Sequence, residues 1–152
     1  DEAAHDELGE GYREYNAAIH DDMVRLFPGT REALAALHEA GFPLGVVTSK
    51  RHEVALHGLG CFGLADLFEF VIGSDDWPDP GPVAHGCDLM GKQPPNCLYV
   101  GDSPFDLQAG NGAGCQTAAA LWGMFPADEL RAQQPDFVCG SILEVAHLPG
   151  AR

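Results

Sequence analysis

The chain has 152 residues, with 8 Lys and Arg against 23 Asp and Glu and a formal net charge of −15 at pH 7. This length suits about one domain with a substantial core. The acidic balance argues against binding to nucleic acid or to an anionic membrane, since both call for basic surface. No segment has the form of a membrane span or of a signal peptide, so we expect a soluble chain.

The five cysteines are scattered along apolar segments without a C-x-x-C pair, which predicts no zinc site. Their odd number predicts buried, reduced thiols, so we expect a cytoplasmic protein. The cysteines are Cys61, Cys87, Cys97, Cys115 and Cys139.

Residues 1–24 are acidic and compatible with a helix, and their apolar residues recur at spacings of three and four. Because the chain starts at Asp1, inside this pattern and without methionine, we expect a fragment. Two interpretations stay open for this segment: the remnant of a helical cap over an active site, or a helix that packs on a neighbour. The apolar residues are Leu8, Tyr12, Tyr15, Ile19 and Met23.

Residues 25–152 are predicted to form the core of the protein. Thr30 is a good N-cap for a helix over residues 31–40, which Gly41 ends. The apolar run 42–47 predicts a strand that ends in Thr48-Ser49-Lys50. A helix over 51–59 and a short helix or turn over 64–68 follow.

The second half of the core continues the alternation of strands and helices. Further strands are predicted over 70–73, 97–100, 115–121 and 137–139, and further helices over 83–90, 105–111, 127–132 and 142–147. Strands and helices that alternate with short links predict an α/β fold, a three-layer Rossmann-like parallel sheet that is doubly wound.

The segment Leu98-Tyr99-Val100-Gly101-Asp102-Ser103-Pro104-Phe105-Asp106 carries two carboxylates at the end of a predicted buried strand. Ligands bind at such strand ends in parallel sheets, and two carboxylates there suit a hard cation such as Mg²⁺. The alternative is a simple strand–turn–helix corner, with Asp102 or Ser103 as the N-cap.

Thr48-Ser49-Lys50 follows another strand of the same predicted sheet. The strands of a parallel sheet end on one side, so this segment and the Asp102 segment can meet in one crevice. A hydroxyl with backbone N–H groups at a helix N-terminus can hold a phosphate, which a nearby metal would bridge. Together they predict half of a metal-assisted phosphoryl-transfer site.

The order of the motifs resembles the haloacid dehalogenase superfamily, and within it the phosphoglycolate-phosphatase-like phosphatases with a helical cap. The motifs are Val46-Val47-Thr48-Ser49-Lys50, then Gly73-Ser74-Asp75-Asp76, then Pro78-Asp79-Pro80, then the Asp102 segment. The resemblance implies that Thr48 binds the transferring phosphoryl group, with Ser49 in support and Lys50 near substrate or solvent. It implies Mg²⁺ as cofactor, with Asp102 as a ligand and Asp106 as a direct or indirect partner.

The chain departs from this family in two places. The nucleophilic aspartate of the family lies in an Asp-x-Asp motif after the first strand, and no Asp-x-Asp follows an apolar strand here. That strand would lie between those ending at Thr48 and Asp102, so we expect two inner edges to face a gap. Trp77 stands where the family has a lysine, in a loop shorter than expected; Lys92 is too far along to replace it.

The resemblance implies a phosphatase that hydrolyses a small phosphorylated metabolite through an aspartyl-phosphate, phosphoglycolate being the first candidate. This chain alone is expected to be inactive, because it lacks the nucleophile and the lysine. The alternative is a non-catalytic binding or scaffolding module, which Trp77 favours. A weaker rival is a phosphate-accepting receiver domain. An Asp-x-Asp-Gly-Thr motif encoded upstream of Asp1 would discriminate between enzyme and binding module.

Overall fold

The computed structural model describes residues 25–77 and 81–148. The helix predicted within residues 1–24 lies outside these ranges, as do residues 78–80 of the loop after Trp77.

Strands and helices alternate through the described residues, as predicted for an α/β fold. The helices are α1 (Thr30–Glu39), α2 (His52–Cys61), α3 (Pro82–Leu89), α4 (Pro104–Ala113), α5 (Ala127–Arg131) and α6 (Ile142–Ala146). The strands are β1 (Gly45–Val47), β2 (Phe70–Ile72), β3 (Leu98–Gly101), β4 (Gln116–Ala120) and β5 (Phe137–Cys139). Single turns of 3₁₀ helix cover Ala65–Leu67 and Pro94–Asn96.

The strands form two parallel sheets rather than one. β1 pairs with β2, and β3, β4 and β5 pair in that order. We call β1–β2 the first half-sheet and β3–β5 the second half-sheet. Within the described residues, β1 and β3 each have one edge without a strand partner. These are the two edges that are predicted from the sequence to face a gap.

The second half-sheet lies between two layers of helices, which completes a three-layer architecture. On one face, Leu107 of α4 and Leu130 of α5 pack around Ala119. On the other face, Ala118 and Cys139 pack with Val145 of α6, and Trp122 joins this cluster. The alanines of β4 alternate between the two faces, because neighbouring side chains of a strand point to opposite sides.

Two local predictions are wrong. Gly29, with φ 81°, occupies the N-cap position of α1, and Thr30 is the first helical residue. The Thr30 Oγ1 donates to the Phe27 carbonyl at 2.8 Å and caps no N–H group of the helix. Cys61 is exposed, because it ends α2 near the surface; the remaining cysteines are buried and all are free thiols. The predicted end of α1 is confirmed, since Gly41 has φ 88° just beyond the helix.

No helix within the described ranges is both long and apolar enough to cross a membrane.

Candidate functional site

Thr48 lies directly after β1, where the backbone is still held to the first half-sheet. Its N–H donates to the Ile72 carbonyl at 2.9 Å. Its Oγ1 accepts from the Lys50 N–H at 3.2 Å. A hydroxyl that accepts one bond keeps its O–H for donation, so Thr48 can donate to an anion at this strand end.

Ser49 and Lys50 are exposed and form the turn that leads into α2. The Lys50 carbonyl accepts from the Ser74 N–H at 2.8 Å. This bond joins the loop after β1 to the loop after β2, so the two strand ends of the first half-sheet are fixed relative to each other.

Two acidic residues of the β2 loop bind the start of α2. Asp75 Oδ1 accepts from the His52 N–H at 2.8 Å, and this bond is the main reason why the pKa of Asp75 lies below its usual value. Asp76 Oδ2 lies 2.8 Å from His52 Nδ1 and accepts from the Gly73 N–H at 3.1 Å. A carboxylate therefore occupies part of the helix N-terminus that is predicted from the sequence to hold a phosphate.

A capping box holds the turn after β3. Ser103 is the N-cap of α4, and its Oγ accepts from the Asp106 N–H at 3.1 Å. In return, Asp106 Oδ2 accepts from the N–H groups of Asp102 and Ser103, each at 3.2 Å. The N-cap interpretation of this corner is thus confirmed for Ser103, and Asp106 fixes the backbone that carries Asp102.

The packing around the Asp106 carboxylate is tight. A Cβ on Gly101 would overlap the Asp106 side chain, so only glycine fits at the end of β3. Burial, with the negative charge of Asp106 nearby, raises the pKa of Tyr99 to about 12. Tyr99 is therefore a neutral phenol beside this turn at physiological pH.

Asp102 is half-buried, and its carboxylate lies against the backbone of Gly123, where a Cβ would overlap it. Within residues 25–77 and 81–148, no hydrogen bond or ion pair engages this carboxylate. A partly buried carboxylate without such a partner is an unfavourable arrangement, so Asp102 is well suited to accept a cation.

One carboxylate of the described residues, that of Asp102, has the chemistry that a Mg²⁺ ion prefers. The described residues contain no group of at least three His, Cys, Asp or Glu side chains placed to hold a metal ion. Mg²⁺ is usually held by one or two carboxylates, together with phosphate oxygens and water. Asp102 fits as one such ligand; Asp106 already uses one oxygen for two backbone bonds, and its part as a metal ligand stays a prediction.

Neither Trp77 nor Lys92 supplies a positive charge at the strand ends. Trp77 is 51% exposed in the loop after β2. Lys92 follows α3 and lines a cavity beside Asn96 and Cys97, before β3 begins, so it lies at the opposite end of that strand from Asp102. This position agrees with the expectation that Lys92 does not replace the missing lysine.

The family profile of haloacid dehalogenase-like hydrolases matches residues 2–120. The pyrophosphatase PpaX of Halalkalibacterium halodurans is 32% identical over 151 residues, which are 97% of this chain and 70% of that protein. The pyrophosphatase PpaX of Listeria monocytogenes is 34% identical over 137 residues, which are 88% of this chain and 63% of that protein.

Solved structures of the same kind share the fold. A structure described as a predicted phosphoglycolate phosphatase from Haemophilus somnus has a TM-score of 0.74 and 30% identity, and covers 81% of this chain and 56% of that one. A haloacid dehalogenase-like hydrolase from Streptococcus pneumoniae has a TM-score of 0.79 over 97% of this chain and 70% of its own, at 24% identity.

Proposed function

Because the chain belongs to the haloacid dehalogenase-like hydrolase family, we propose that its strand-end residues bind the phosphoryl group of a small phosphorylated metabolite for hydrolysis. Two observations support this proposal: Thr48 has an available O–H and Asp102 has an available carboxylate, and each residue follows a strand directly. Phosphoryl transfer needs a donor for phosphate oxygens and a carboxylate for the metal.

Thr48 donates its O–H to a phosphate oxygen, and the turn that follows it adds support. The bond from the Lys50 N–H fixes the orientation of the hydroxyl, so little side-chain freedom is lost when the anion binds. Ser49 is exposed beside it and can add a second hydroxyl.

Asp102 holds Mg²⁺ in this proposal, and Asp106 acts by fixing the Asp102 backbone. Bound magnesium would neutralise phosphate charge and so offset the repulsion from a chain with a net charge of −15. The half-buried position of Asp102 strengthens its attraction for a cation relative to a fully exposed carboxylate.

Neither Thr48 nor Asp102 is assigned the nucleophile. Thr48 has no base among the groups that bond it, since its oxygen accepts from a backbone N–H. Catalysis through an aspartyl-phosphate would require an Asp-x-Asp segment, which the sequence does not carry after an apolar strand. We therefore propose that the 152-residue chain binds phosphate with Mg²⁺ but does not turn a phosphoester over.

Two substrate classes are candidates for the hydrolysis. The resemblance to phosphoglycolate phosphatases favours a small phosphomonoester. The 32% identity to a pyrophosphatase PpaX, over 97% of this chain, favours inorganic pyrophosphate. The non-catalytic binding module remains the alternative, supported by Trp77 at the lysine position.

The test measures binding of inorganic phosphate to the chain by calorimetry, with and without Mg²⁺. Phosphate is expected to bind more tightly with Mg²⁺, and Thr48→Ala to weaken binding about tenfold through the loss of one bond to a charged group. Asp102→Asn is expected to remove the effect of Mg²⁺. Thr30→Ala is the matched control, because the Thr30 hydroxyl at the start of α1 donates to the Phe27 carbonyl.

Turnover is measured in parallel with p-nitrophenyl phosphate, phosphoglycolate and pyrophosphate. We expect none from the chain itself, and turnover from any longer natural form that adds the Asp-x-Asp segment. Phosphate binding that is unchanged in both Thr48→Ala and Asp102→Asn would overturn the proposed site. Mg²⁺-dependent turnover by the chain alone, lost in Asp102→Ala, would overturn the statement that it lacks a nucleophile.

A further inference from the structure

Three buried cysteines lie together at the strand ends that are remote from Asp102. Cys97 directly precedes β3, Cys115 directly precedes β4, and Cys87 lies near the end of α3. They form one apolar cluster with Val83, and all three are free thiols. We call Cys87, Cys97 and Cys115 the thiol cluster. It is separate from the proposed phosphate site, because Asp102 lies at the opposite end of β3.

Two members of the thiol cluster are already in contact. Cys87 Sγ lies 3.6 Å from Cys115 Sγ, whereas two sulfur atoms in a disulfide are about 2.05 Å apart. Closing the pair therefore requires an approach of about 1.5 Å, which rotations of the two side chains can share. Cys97 Sγ donates instead to the Gln93 carbonyl at 3.5 Å. The geometry thus favours Cys87 and Cys115 as the pair.

The surroundings of the pair are apolar, which favours a neutral bond over a charged thiolate. Cys87 is 2% exposed and Cys115 is 7% exposed. Burial, with the Cys87 thiol beside it, raises the pKa of Cys115 to about 12, so Cys115 stays a neutral thiol at physiological pH. A disulfide has no ionisable group, so it fits this site without burying a charge. Partly buried apolar side chains pack against the cluster, namely Val47, Met90, Tyr99 and Ala113.

The pair spans the two half-sheets. Helix α3, which carries Cys87, contacts β1 and β2 of the first half-sheet. Cys115 leads into β4, the central strand of the second half-sheet. The two cysteines are 28 positions apart in the sequence, so a bond between them closes a long loop that contains β3 and α4.

We propose that Cys87 and Cys115 form a modification site, at which a low-molecular-mass disulfide such as oxidised glutathione converts the two thiols into an intramolecular disulfide. The oxidised chain then carries a covalent staple between α3 and the start of β4, and the reduced chain lacks it. This redox function is separate from phosphate binding at the strand ends, and its test uses neither phosphate nor turnover.

The exchange balances in two steps. One protein thiol loses its proton to solvent and its sulfur attacks the small disulfide, so a mixed disulfide forms and one small thiolate leaves. The second protein thiol loses its proton and attacks the protein sulfur of the mixed disulfide, and the second small thiolate leaves. The two small thiolates take up the two protons. Cys87 and Cys115 together lose two electrons, which reduce one small disulfide to two thiols.

Closing the loop is expected to stabilise the folded chain. A disulfide restricts the unfolded chain, and the effect grows with the length of the closed loop. We therefore expect the midpoint of urea unfolding to rise by about 1 M on oxidation.

The experiment equilibrates the chain in buffers with increasing ratios of oxidised to reduced glutathione. The pH is 8.5 and the incubation is long, because thiolates attack disulfides and the high pKa of Cys115 slows the exchange. Remaining thiols are blocked with N-ethylmaleimide in urea near pH 6.5, where exchange is slow. Cleavage before aspartate then places each of the five cysteines on a different peptide. Mass spectrometry without reduction is expected to show residues 79–87 linked to residues 106–127.

Two other cysteines of the same molecule serve as controls. Cys61 is exposed on α2 and is expected to form a mixed disulfide with glutathione, which shows that the buffer oxidises an accessible thiol. Cys97 belongs to the thiol cluster and is expected to stay a thiol.

A matched pair of variants tests the effect on stability. Cys115→Ser removes the bond, and Cys97→Ser changes the same cluster but retains the bond. Oxidation is expected to raise the urea midpoint of the parent chain and of Cys97→Ser, but not that of Cys115→Ser. Each variant is compared with its own reduced form, so any loss of stability caused by serine itself cancels. The peptide map of the parent chain requires no variant.

Four outcomes would overturn the proposal. One is that Cys87 and Cys115 stay unlinked at glutathione ratios that modify Cys61. Another is a link from Cys87 to Cys97, which would assign the site to a different pair. The third is a link that forms only in urea, which would show that the fold does not build the pair. The fourth is a linked chain whose urea midpoint does not rise, which would exclude a stabilising staple.

Discussion

The backbone of Gly123 lies directly against the carboxylate of Asp102, and a Cβ at this position would overlap Asp102 Cβ and Oδ2. Gly123 follows β4 in sequence and Asp102 follows β3, so the neighbouring strand end sets the position of the proposed metal ligand. No positive φ requires glycine at residue 123; the space around it does.

Gly123→Ala is therefore expected to displace the Asp102 carboxylate and to weaken Mg²⁺ binding about tenfold, as changes behind a metal ligand do. Isothermal calorimetry with Mg²⁺ measures this effect. The control is Gly112→Ala, since nothing lies within 4 Å of a Cβ added to Gly112 in α4. That control should gain about 0.5–1 kcal/mol of stability, because glycine is costly in a helix. Equal Mg²⁺ affinity in both variants would contradict the role given to Gly123.

The capping box predicts that Asp106 stabilises the fold even when no metal ion is bound. Ser103→Ala is expected to lower the free energy of unfolding by about 1 kcal/mol. Asp106→Asn is expected to lower it as well, since its Oδ2 accepts two backbone bonds as a charged group. Urea unfolding in the presence of EDTA measures both losses. If Asp106→Asn were as stable as the parent chain without metal, the carboxylate would act on the metal alone.

The hydrogen bond accepted by Asp75 is expected to make the stability of the folded chain sensitive to acid. The His52 N–H lowers the pKa of Asp75 in the folded chain from its ordinary value of 3.8. The stabilisation by this bond is thus complete above the unfolded pKa and is lost as the pH falls through the lower, folded pKa. Asp75→Asn should reduce the loss of stability in that acidic range, as followed by circular dichroism during acid titration. Asp66→Asn, at an exposed residue of the first 3₁₀ turn, should leave the titration curve unchanged.

The buried hydroxyl of Thr117 in β4 is expected to stabilise the folded chain. Thr117 is fully buried, and its Oγ1 donates to Asn111 Oδ1 at 2.9 Å. Thr117→Val keeps the shape but removes the donor, so we expect a loss of about 1 kcal/mol in urea unfolding. Val138→Ala, which removes apolar volume near Leu107 and Ala119, should lose more without affecting this bond. An unchanged midpoint in Thr117→Val would show that this hydrogen bond contributes no net stability.

The elements that could be predicted from the sequence are those with strong local signals. β5 matches its predicted bounds, and β2 ends one residue before its predicted end, because each is a compact apolar run beside polar or glycine residues. The capping box of α4 is equally local, since Ser103 and Asp106 have the spacing that it needs.

The remaining features depend on contacts distant in the sequence or on competing bonds. Asp75 lies 23 residues from the helix N-terminus that it binds, so no local pattern shows that it occupies this site. Thr30 fails as an N-cap because its hydroxyl bonds backwards to Phe27. The closeness of Gly123 to Asp102 depends on the pairing of β3 with β4.

The division into half-sheets has a consequence for how the chain folds. The first half-sheet is built from residues 45–72 and the second from residues 98–139, so each is local in sequence. They are joined through α3 and through α1, which packs on α6; a Cβ on Gly29 would lie 2.6 Å from Leu143 Cγ. Native-state hydrogen exchange should therefore resolve two cooperative units with separate opening free energies.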